Sequence, residues 1–350
     1  DNLVGTQGSS KNLATVLDHP RLEFKEEDYL EWVTSQALAG VRTVFHQAAS
    51  KNTVSMRDPE RDLEVNALGT LRLLLASVEA GVQKFVHGST GSVFGELEDR
   101  QDESHPTRPR SFYGVSKLAG ETYCRVVHEI FGLDTTVLRY YHVIGPRQDD
   151  SDTGGVVPIF IRNCEEGSPI TIYGTGEQVR SFTSVFDVVE ANLLVESSDE
   201  AAGKFYNCAS GIKVSIQELA EFVRAEMKSD VPILYDDWRP GDIINFDIIN
   251  DKIVDLGARF NTDWKEVVRG VIRSRSDVVP EGRKEPVAVG KESTCPSNGI
   301  AASATAKAGR TGCEACRRGA EAEGRVRVRR KASARATSPG AGCREDVSNQ

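Results

Sequence analysis

Apolar positions fall into short continuous runs that alternate with helical stripes from residue 41 to about residue 140. The run at 41–46 (VRTVFH) reads as a short buried strand. After it, Leu63, Ala67, Leu71, Leu74, Leu75 and Val78 recur at helical spacing and predict one helix over 61–80. Gly81 is its stop signal, and a second strand is predicted at 84–89. The unit then repeats, with a helix over 113–131 ended by Gly132 and a strand at 134–139. Strands alternating with helices of this length predict a parallel sheet covered on both faces, a doubly wound α/β fold.

Beyond Gly145-Pro146 the alternation yields to segments punctuated by glycine and proline, at 154–158, 167–169 and 173–176, which predict a smaller, loop-rich lobe. Helix at 184–194 and strand at 204–208 are expected to rejoin the main sheet, and 215–228 reads as a capped amphipathic helix. The domain boundaries that follow are 1–142 with 183–210 for the main domain, 143–182 with 211–275 for the lobe, and a tail at 276–350. The tail is rich in Ala, Gly, Arg and Ser and poor in large apolar side chains, so it is expected to be disordered.

Composition narrows the function classes. No run approaches the roughly 20 apolar residues of a membrane span, and the N-terminus shows no signal-peptide pattern, so a cytoplasmic protein is expected. Of 43 basic and 52 acidic residues, 14 and 8 fall within 281–350, which leaves the preceding body strongly acidic. Such a body repels nucleic acid, and any phosphate it binds must be small and held by local arginines. Seven scattered cysteines argue against a disulfide framework, and the lone C-x-x-C at Cys313 and Cys316 lacks the second half of a zinc site, so no metal is expected.

The candidate chemistry sits at Tyr113-Gly-Val-Ser-Lys117, which places a phenol and an ammonium on one face of a helix. A tyrosine is a poor base at neutral pH, and an adjacent cation favours its phenolate. Tyr113 is therefore a candidate acid/base and Lys117 its tuner. Thr90, at the carboxyl end of the predicted strand 84–89, offers a hydroxyl where doubly wound sheets hold ligands.

These residues belong to an ordered series: Phe45-His-Gln-Ala-Ala49, Asn66-Ala-Leu-Gly-Thr70, Ser89-Thr-Gly-Ser-Val-Phe-Gly95, Tyr113-Gly-Val-Ser-Lys117, Arg139-Tyr-Tyr-His-Val-Ile-Gly-Pro-Arg147, Tyr173-Gly-Thr-Gly-Glu-Gln-Val-Arg180 and Arg239-Pro-Gly-Asp242. In this order they resemble the extended short-chain dehydrogenase/reductases, and within them the UDP-galactose 4-epimerase-like, NAD-dependent sugar-nucleotide enzymes. The resemblance runs from Asp1 to about Arg273. It implies a Rossmann-like domain and a reaction in which Tyr113, Lys117 and Thr90 support transient oxidation of a nucleotide sugar at C4 by NAD, followed by return of the hydride to the other face. It also places Asp1 and Asn2 at the adenosine ribose and Asp28 and Tyr29 beside the adenine. Ala48, Ala49 and Lys51 fall along the pyrophosphate and nicotinamide half, with Asn66 and Tyr141 close by. An acid at Asp1 favours NAD over NADP. On the UDP-sugar side it implies Arg180 and Arg239 for the diphosphate, Asp242 for the ribose, Tyr173 for the base, and Thr90 and His142 near the sugar. A homodimer pairing through the helices at 61–80 and 113–131 is implied as well.

Three departures from the pattern stand out. The opening strand and its Gly-x-x-Gly-x-x-Gly turn would lie before Asp1, so an N-terminally truncated cofactor site is expected. His142 stands where relatives usually carry Asn, and Ser181 where they carry Asp. Dehydratases show Thr-Asp-Glu where this chain has Thr90-Gly91-Ser92, which disfavours dehydration. The alternatives are a nucleotide-sugar reductase or decarboxylase, and an inactive remnant that binds nucleotide sugar without the pyrophosphate turn.

Overall fold

The computed structural model describes residues 10–96, 100–239, 243–244 and 246–276. Asp1, Asn2, Asp242 and, from residue 277 onward, the tail lie outside these residues. The described residues belong to one compact unit.

A four-stranded, wholly parallel sheet carries the fold, with β1 (Thr43–His46), β2 (Lys84–Thr90), β3 (Asp134–Tyr140) and β8 (Phe205–Cys208) in the order β1-β2-β3-β8. All seven residues of β2 are buried, as a strand covered on both faces requires. Alternation divides its apolar side chains between two cores. Phe85 of β2 and Val137 of β3 pack with Leu73, Leu74 and Val127 on one face. Val86 and Leu138 pack with Val188, Val195 and Ile253 on the other. The first face is covered by α4 (Thr70–Ala80) and α5 (Phe112–Phe131), and the second by α7 (Val185–Ser197) and α9 (Asp251–Asp255).

Helix α5 begins where the Ser111 side chain accepts from the Gly114 amide at 3.1 Å, and it ends at Gly132 in the left-handed conformation (φ 73°). Gly81 (φ 73°) ends α4 in the same way. The predicted strands at 84–89 and 134–139 and the return of 204–208 to the sheet are therefore observed nearly residue for residue.

Two expectations are corrected. The stripe read as one helix over 61–80 is three pieces: α3 (Pro59–Leu63), a wide π-helical turn over Glu64–Gly69, and α4. Such turns are rare in helices and frequent at functional sites. The lobe expected to be loop-rich contains, besides the amphipathic helix expected at 215–228 and observed as α8 (Ile216–Glu226), two further helices, α6 (Val156–Glu166) and α10 (Trp264–Ser276), and the three bury Ile161, Leu219 and Val268 around β5 (Ile170–Tyr173). Pro158 misled because it sits in the first turn of α6, where a missing N–H leaves no helical bond unmade. β5 pairs in parallel with β10 (Ile233–Asp236). Short pairings join β4 (Val143–Ile144) to β7 (Thr183–Ser184) and β6 (Val179–Arg180) to β9 (Val214–Ser215). Two short helices, α1 (Tyr29–Trp32) and α2 (Asn52–Ser55), flank β1 in the chain.

Candidate functional site

The carboxyl end of β2 and the start of α5 bring Thr90 and Tyr113 into each other's electrostatic range, the Thr90 hydroxyl favouring the Tyr113 phenolate. Thr90 also accepts from the Ser92 amide at 3.2 Å, so its side chain is fixed at the strand end. Tyr113 stays half-buried, set deep in the protein mass with part of its ring open. Burial pushes its phenol up to about 12, opposed by the nearby Thr90 hydroxyl and reinforced by the charge of Asp62.

One helical turn on, Lys117 is fully buried, and its ammonium donates to the Gly88 carbonyl of β2 at 2.5 Å. Burial brings Lys117 down to about 8, while the nearby carboxylate of Glu121 opposes the fall. The i,i+4 spacing of the sequence thus becomes a buried cation one helical turn on from a half-buried phenol.

The wide turn over Glu64–Gly69 supplies Asn66, which is fully buried. Its side-chain oxygen accepts from the Ser50 amide at 2.8 Å. Its side-chain nitrogen donates to the Ser50 carbonyl at 3.2 Å and to Asp62 Oδ1 at 2.9 Å. Ser116, the neighbour of Lys117, donates to Asp62 Oδ2 at 2.6 Å. Asn66 therefore ties the loop after β1 to α3 and α5. Sequence reasoning did not find Asp62 or Ser116. The only signal available was that Asp62 precedes Asn66 by four residues on one helical face.

A second buried network supports the other side of α5. Glu121 accepts two bonds from Arg139 of β3, at 2.9 and 2.8 Å, and one from Ser89 of β2 at 2.6 Å. The Arg139 guanidinium also lies over the Phe94 ring at 4.6 Å. Both charges are almost fully buried, so the pair locks α5 to the two strands whose ends carry the site. Beneath Lys117, His46 of β1 and His87 of β2 stand with ring centroids 5.2 Å apart, both buried. His46 bonds Thr70 at 2.9 Å, whereas among the described residues neither nitrogen of His87 has a hydrogen-bond partner.

The remaining site candidates are placed as follows. Ala48 and Ala49 are exposed in the loop after β1, and Lys51 of the same loop is ion-paired to Asp149 at 2.8 Å. Asp28 caps α1 by accepting from the Leu30 amide at 3.0 Å and pairs with Arg61. The Tyr29 hydroxyl donates to the Val65 carbonyl in the wide turn, and its ring lies against Gly69, where a Cβ would come 2.1 Å from the hydroxyl oxygen. Asp28 and Tyr29 thus have structural partners that the sequence did not suggest. Tyr141 is buried, donates to Asn207 at 3.0 Å and packs on Gly91. Its hydroxyl is engaged away from Tyr113.

On the other side, His142 adopts a positive φ of 37°, with its ring edge-on to Phe246 (4.9 Å) and Phe182 (5.9 Å) and its Nδ1 buried without a partner among the described residues. A non-glycine residue in that conformation marks a position held by its surroundings. Arg180 is buried and donates to the Val179 and Ile244 carbonyls, at 2.9 and 3.2 Å. Arg239 and Tyr173 are brought together, the guanidinium stacked on the ring at 3.9 Å. No cluster of metal-ligating side chains and no helix long and apolar enough to cross a membrane occurs among the described residues.

The sequence profile described as "NAD dependent epimerase/dehydratase family" matches residues 5–209. A putative UDP-glucose 4-epimerase of Methanocaldococcus jannaschii is 31% identical over 275 residues, which cover 78% of this chain and 88% of that protein. The solved structure of the UDP-N-acetylglucosamine 4-epimerase of Methanobrevibacter ruminantium, in complex with UDP-N-acetylmuramic acid, superposes with a TM-score of 0.75 at 31% identity, covering 79% of this chain and 89% of that one. A dTDP-glucose 4,6-dehydratase of Streptomyces venezuelae, solved with NAD bound, gives a TM-score of 0.73 at 28% identity, with 77% and 84% covered.

Proposed function

This chain belongs to the NAD dependent epimerase/dehydratase family, and from that premise we propose that it epimerises a UDP-sugar at C4 through Tyr113, Lys117 and Thr90. The observation that carries the reading is the meeting of Thr90, at the carboxyl end of β2, with the half-buried Tyr113 at the start of α5, one helical turn before the buried Lys117 ammonium. The residues suit the nicotinamide riboside end of NAD. Lys117 Nζ has three donors, of which the Gly88 carbonyl takes one, and the half-open Tyr113 borders the strand ends where doubly wound sheets hold dinucleotides. NAD, when bound, supplies the hydride acceptor and donor.

The chain's own groups do the acid–base work. Tyr113 takes the proton of the sugar C4 hydroxyl and later returns it, and Thr90 donates a hydrogen bond to the reacting oxygen. Lys117 holds the ribose hydroxyls and favours the phenolate by its charge. Epimerisation is favoured over dehydration because eliminating water needs a further carboxyl acid/base beside the sugar, and the residues after Thr90 are Gly91 and Ser92. The stacked Arg239 and Tyr173 suit a nucleotide base and its phosphates, and Arg180 becomes a phosphate ligand when it exchanges a carbonyl partner for the diphosphate. A homodimer is part of the same reading. The exposed Leu75 of α4 and Val115 and Ile130 of α5 give these helices apolar surface for a second copy, and sedimentation velocity tests it.

The test is conversion of UDP-glucose to UDP-galactose with added NAD. Tyr113→Phe should abolish turnover, by at least about a thousandfold, while leaving UDP-sugar binding intact. Accumulation of a 4-keto-6-deoxy sugar from dTDP-glucose instead would replace epimerisation with dehydration.

A further inference from the structure

Asp62 is the one carboxylate of this region that neither touches the reacting groups nor belongs to an ion pair among the described residues. It is fully buried in α3, and its two oxygens are taken by uncharged donors, Ser116 at 2.6 Å and Asn66 at 2.9 Å. Ser116 is the residue before Lys117, so Asp62 is fastened to the stretch of α5 that carries the ammonium. We propose that Asp62 is a positioning residue that keeps Lys117 charged and seated beneath Tyr113, acting through Ser116 and through its own field. The proposal rests on the reading of Tyr113 and Lys117 as the reacting pair.

The physical argument is one of charge balance. A buried ammonium that donates to a neutral carbonyl has no anion in direct contact, and an isolated buried charge is unfavourable. Glu121, one turn further on α5, already forms a bidentate pair with Arg139. Asp62 is the second buried carboxylate that raises Lys117, after Glu121, and the one whose charge no buried cation takes up among the described residues. The other titratable groups facing Lys117 are His46 on β1, His87 on β2 and Cys124 on α5, and none of them carries a negative charge near neutrality, because burial holds both imidazoles neutral and the thiol protonated. Burial lifts Asp62 itself above the ordinary carboxylate range, opposed by the Ser116 hydrogen bond and the Lys117 charge. Its anion in turn raises Lys117 and opposes the Tyr113 phenolate.

The experiment is a pH titration of the Lys117 side chain by ¹³C NMR of the full chain labelled at lysine Cε, with the resonance identified from Lys117→Met. In wild type the midpoint is expected at about 8. In Asp62→Asn, which keeps an acceptor for Ser116 and removes the charge, it should fall by half a pH unit or more, roughly a threefold change in the protonation equilibrium. Ser116→Ala deletes the hydroxyl that fastens the Asp62 carboxylate to α5 and should move it the same way, because that charge is then held less firmly to the stretch of helix that carries Lys117. A Lys117 midpoint unchanged in whichever variant retains the wild-type circular dichroism overturns the proposal, since a purely structural role would alter stability and leave that midpoint in place. The reaction reading is judged separately by turnover. A chain inert toward UDP-sugars whose Lys117 midpoint still follows Asp62 would reject the epimerase reading and support the field effect.

Discussion

Lowering the pH from 7.5 to 5 should destabilise this fold by up to about 6 kcal/mol through three buried histidines, His46 and His87 of the sheet and His142, whose imidazole burial and the Arg180 charge hold well below its ordinary value. Burial brings His46 down to about 3, with the Lys117 charge adding to the fall. His87 is lowered well below its ordinary value by burial, by Lys117 and by His46. A histidine of ordinary value near 6.5 takes up a proton in the unfolded chain that the folded chain refuses. Stability is therefore complete above pH 6.5 and declines as the pH falls towards 3, by about 1.4 kcal/mol per unit for each such group. At pH 5 that is about 2 kcal/mol for one histidine and up to about 6 for the three. With a urea dependence of roughly 3 kcal/mol per M, the unfolding midpoint falls by up to about 2 M.

The assay is urea unfolding followed by circular dichroism at several pH values in wild type and in His87→Phe. Neither nitrogen of His87 has a partner among the described residues, so the substitution removes a titration and no hydrogen bond. Gly120, where a Cβ would lie 3.1 Å from His87 Nε2, warns that the larger ring shifts the absolute stability, but at all pH values alike. Lys117 and Asp102 titrate outside this interval, at about 8 and about 2. Asp62 and Asp187, both raised by burial, act in the opposite sense and are common to both chains. His87→Phe should lose close to a third of the acid slope that His46, His87 and His142 share. A slope equal to wild type would refute the assignment of a buried neutral imidazole at position 87.

Glu121→Ala should cost about 3 to 5 kcal/mol, read as a fall in thermal or urea midpoint, because it strands the buried Arg139 guanidinium. Gly91→Ala should destabilise by about 1 to 3 kcal/mol and impair turnover. Its Cβ would come 2.1 Å from the Tyr141 ring, and relief requires moving the turn that follows Thr90. Wild-type turnover in that variant would show the turn to be slack.

The parallel sheet was legible because its strands announce themselves locally. Buried runs at Phe85–Val86 and Val137–Leu138 are followed or preceded by glycine stops at Gly81 and Gly132, and each signal lies within a few residues. The Tyr113, Lys117 and Thr90 constellation was legible for the same reason, through helical spacing and a strand end. The wide turn at Glu64–Gly69 was not, since Leu63, Ala67 and Leu71 satisfy the period of an unbroken helix. Nor was α6, because Pro158 and its flanking glycines read as breakers unless the helix start is known.

Among the site residues, the partners proved least legible. Lys51 finds Asp149 and Arg139 finds Glu121 across long stretches of chain, and Asp62 looks in sequence like any solvated acid of a helix. Burial is decided by packing, and packing is not a local property. Candidates such as Lys51, Tyr29 and Tyr141 consequently turned out to hold partners within the protein that spacing alone does not announce.

The β3–β8 pairing imposes an order of assembly. These strands are neighbours in the sheet, yet residues 141–204 are synthesised between them and include α6, β5 and α7. During synthesis β1, β2 and β3 can come together early, but the outer edge of β3 stays open until Cys208 has left the ribosome. At about 5 to 20 residues per second that interval lasts roughly 3 to 14 seconds. For that time the nascent sheet presents unpaired N–H and C=O groups to any other chain nearby. The hazard of misjoining is therefore concentrated in one window of translation and closes when β8 docks.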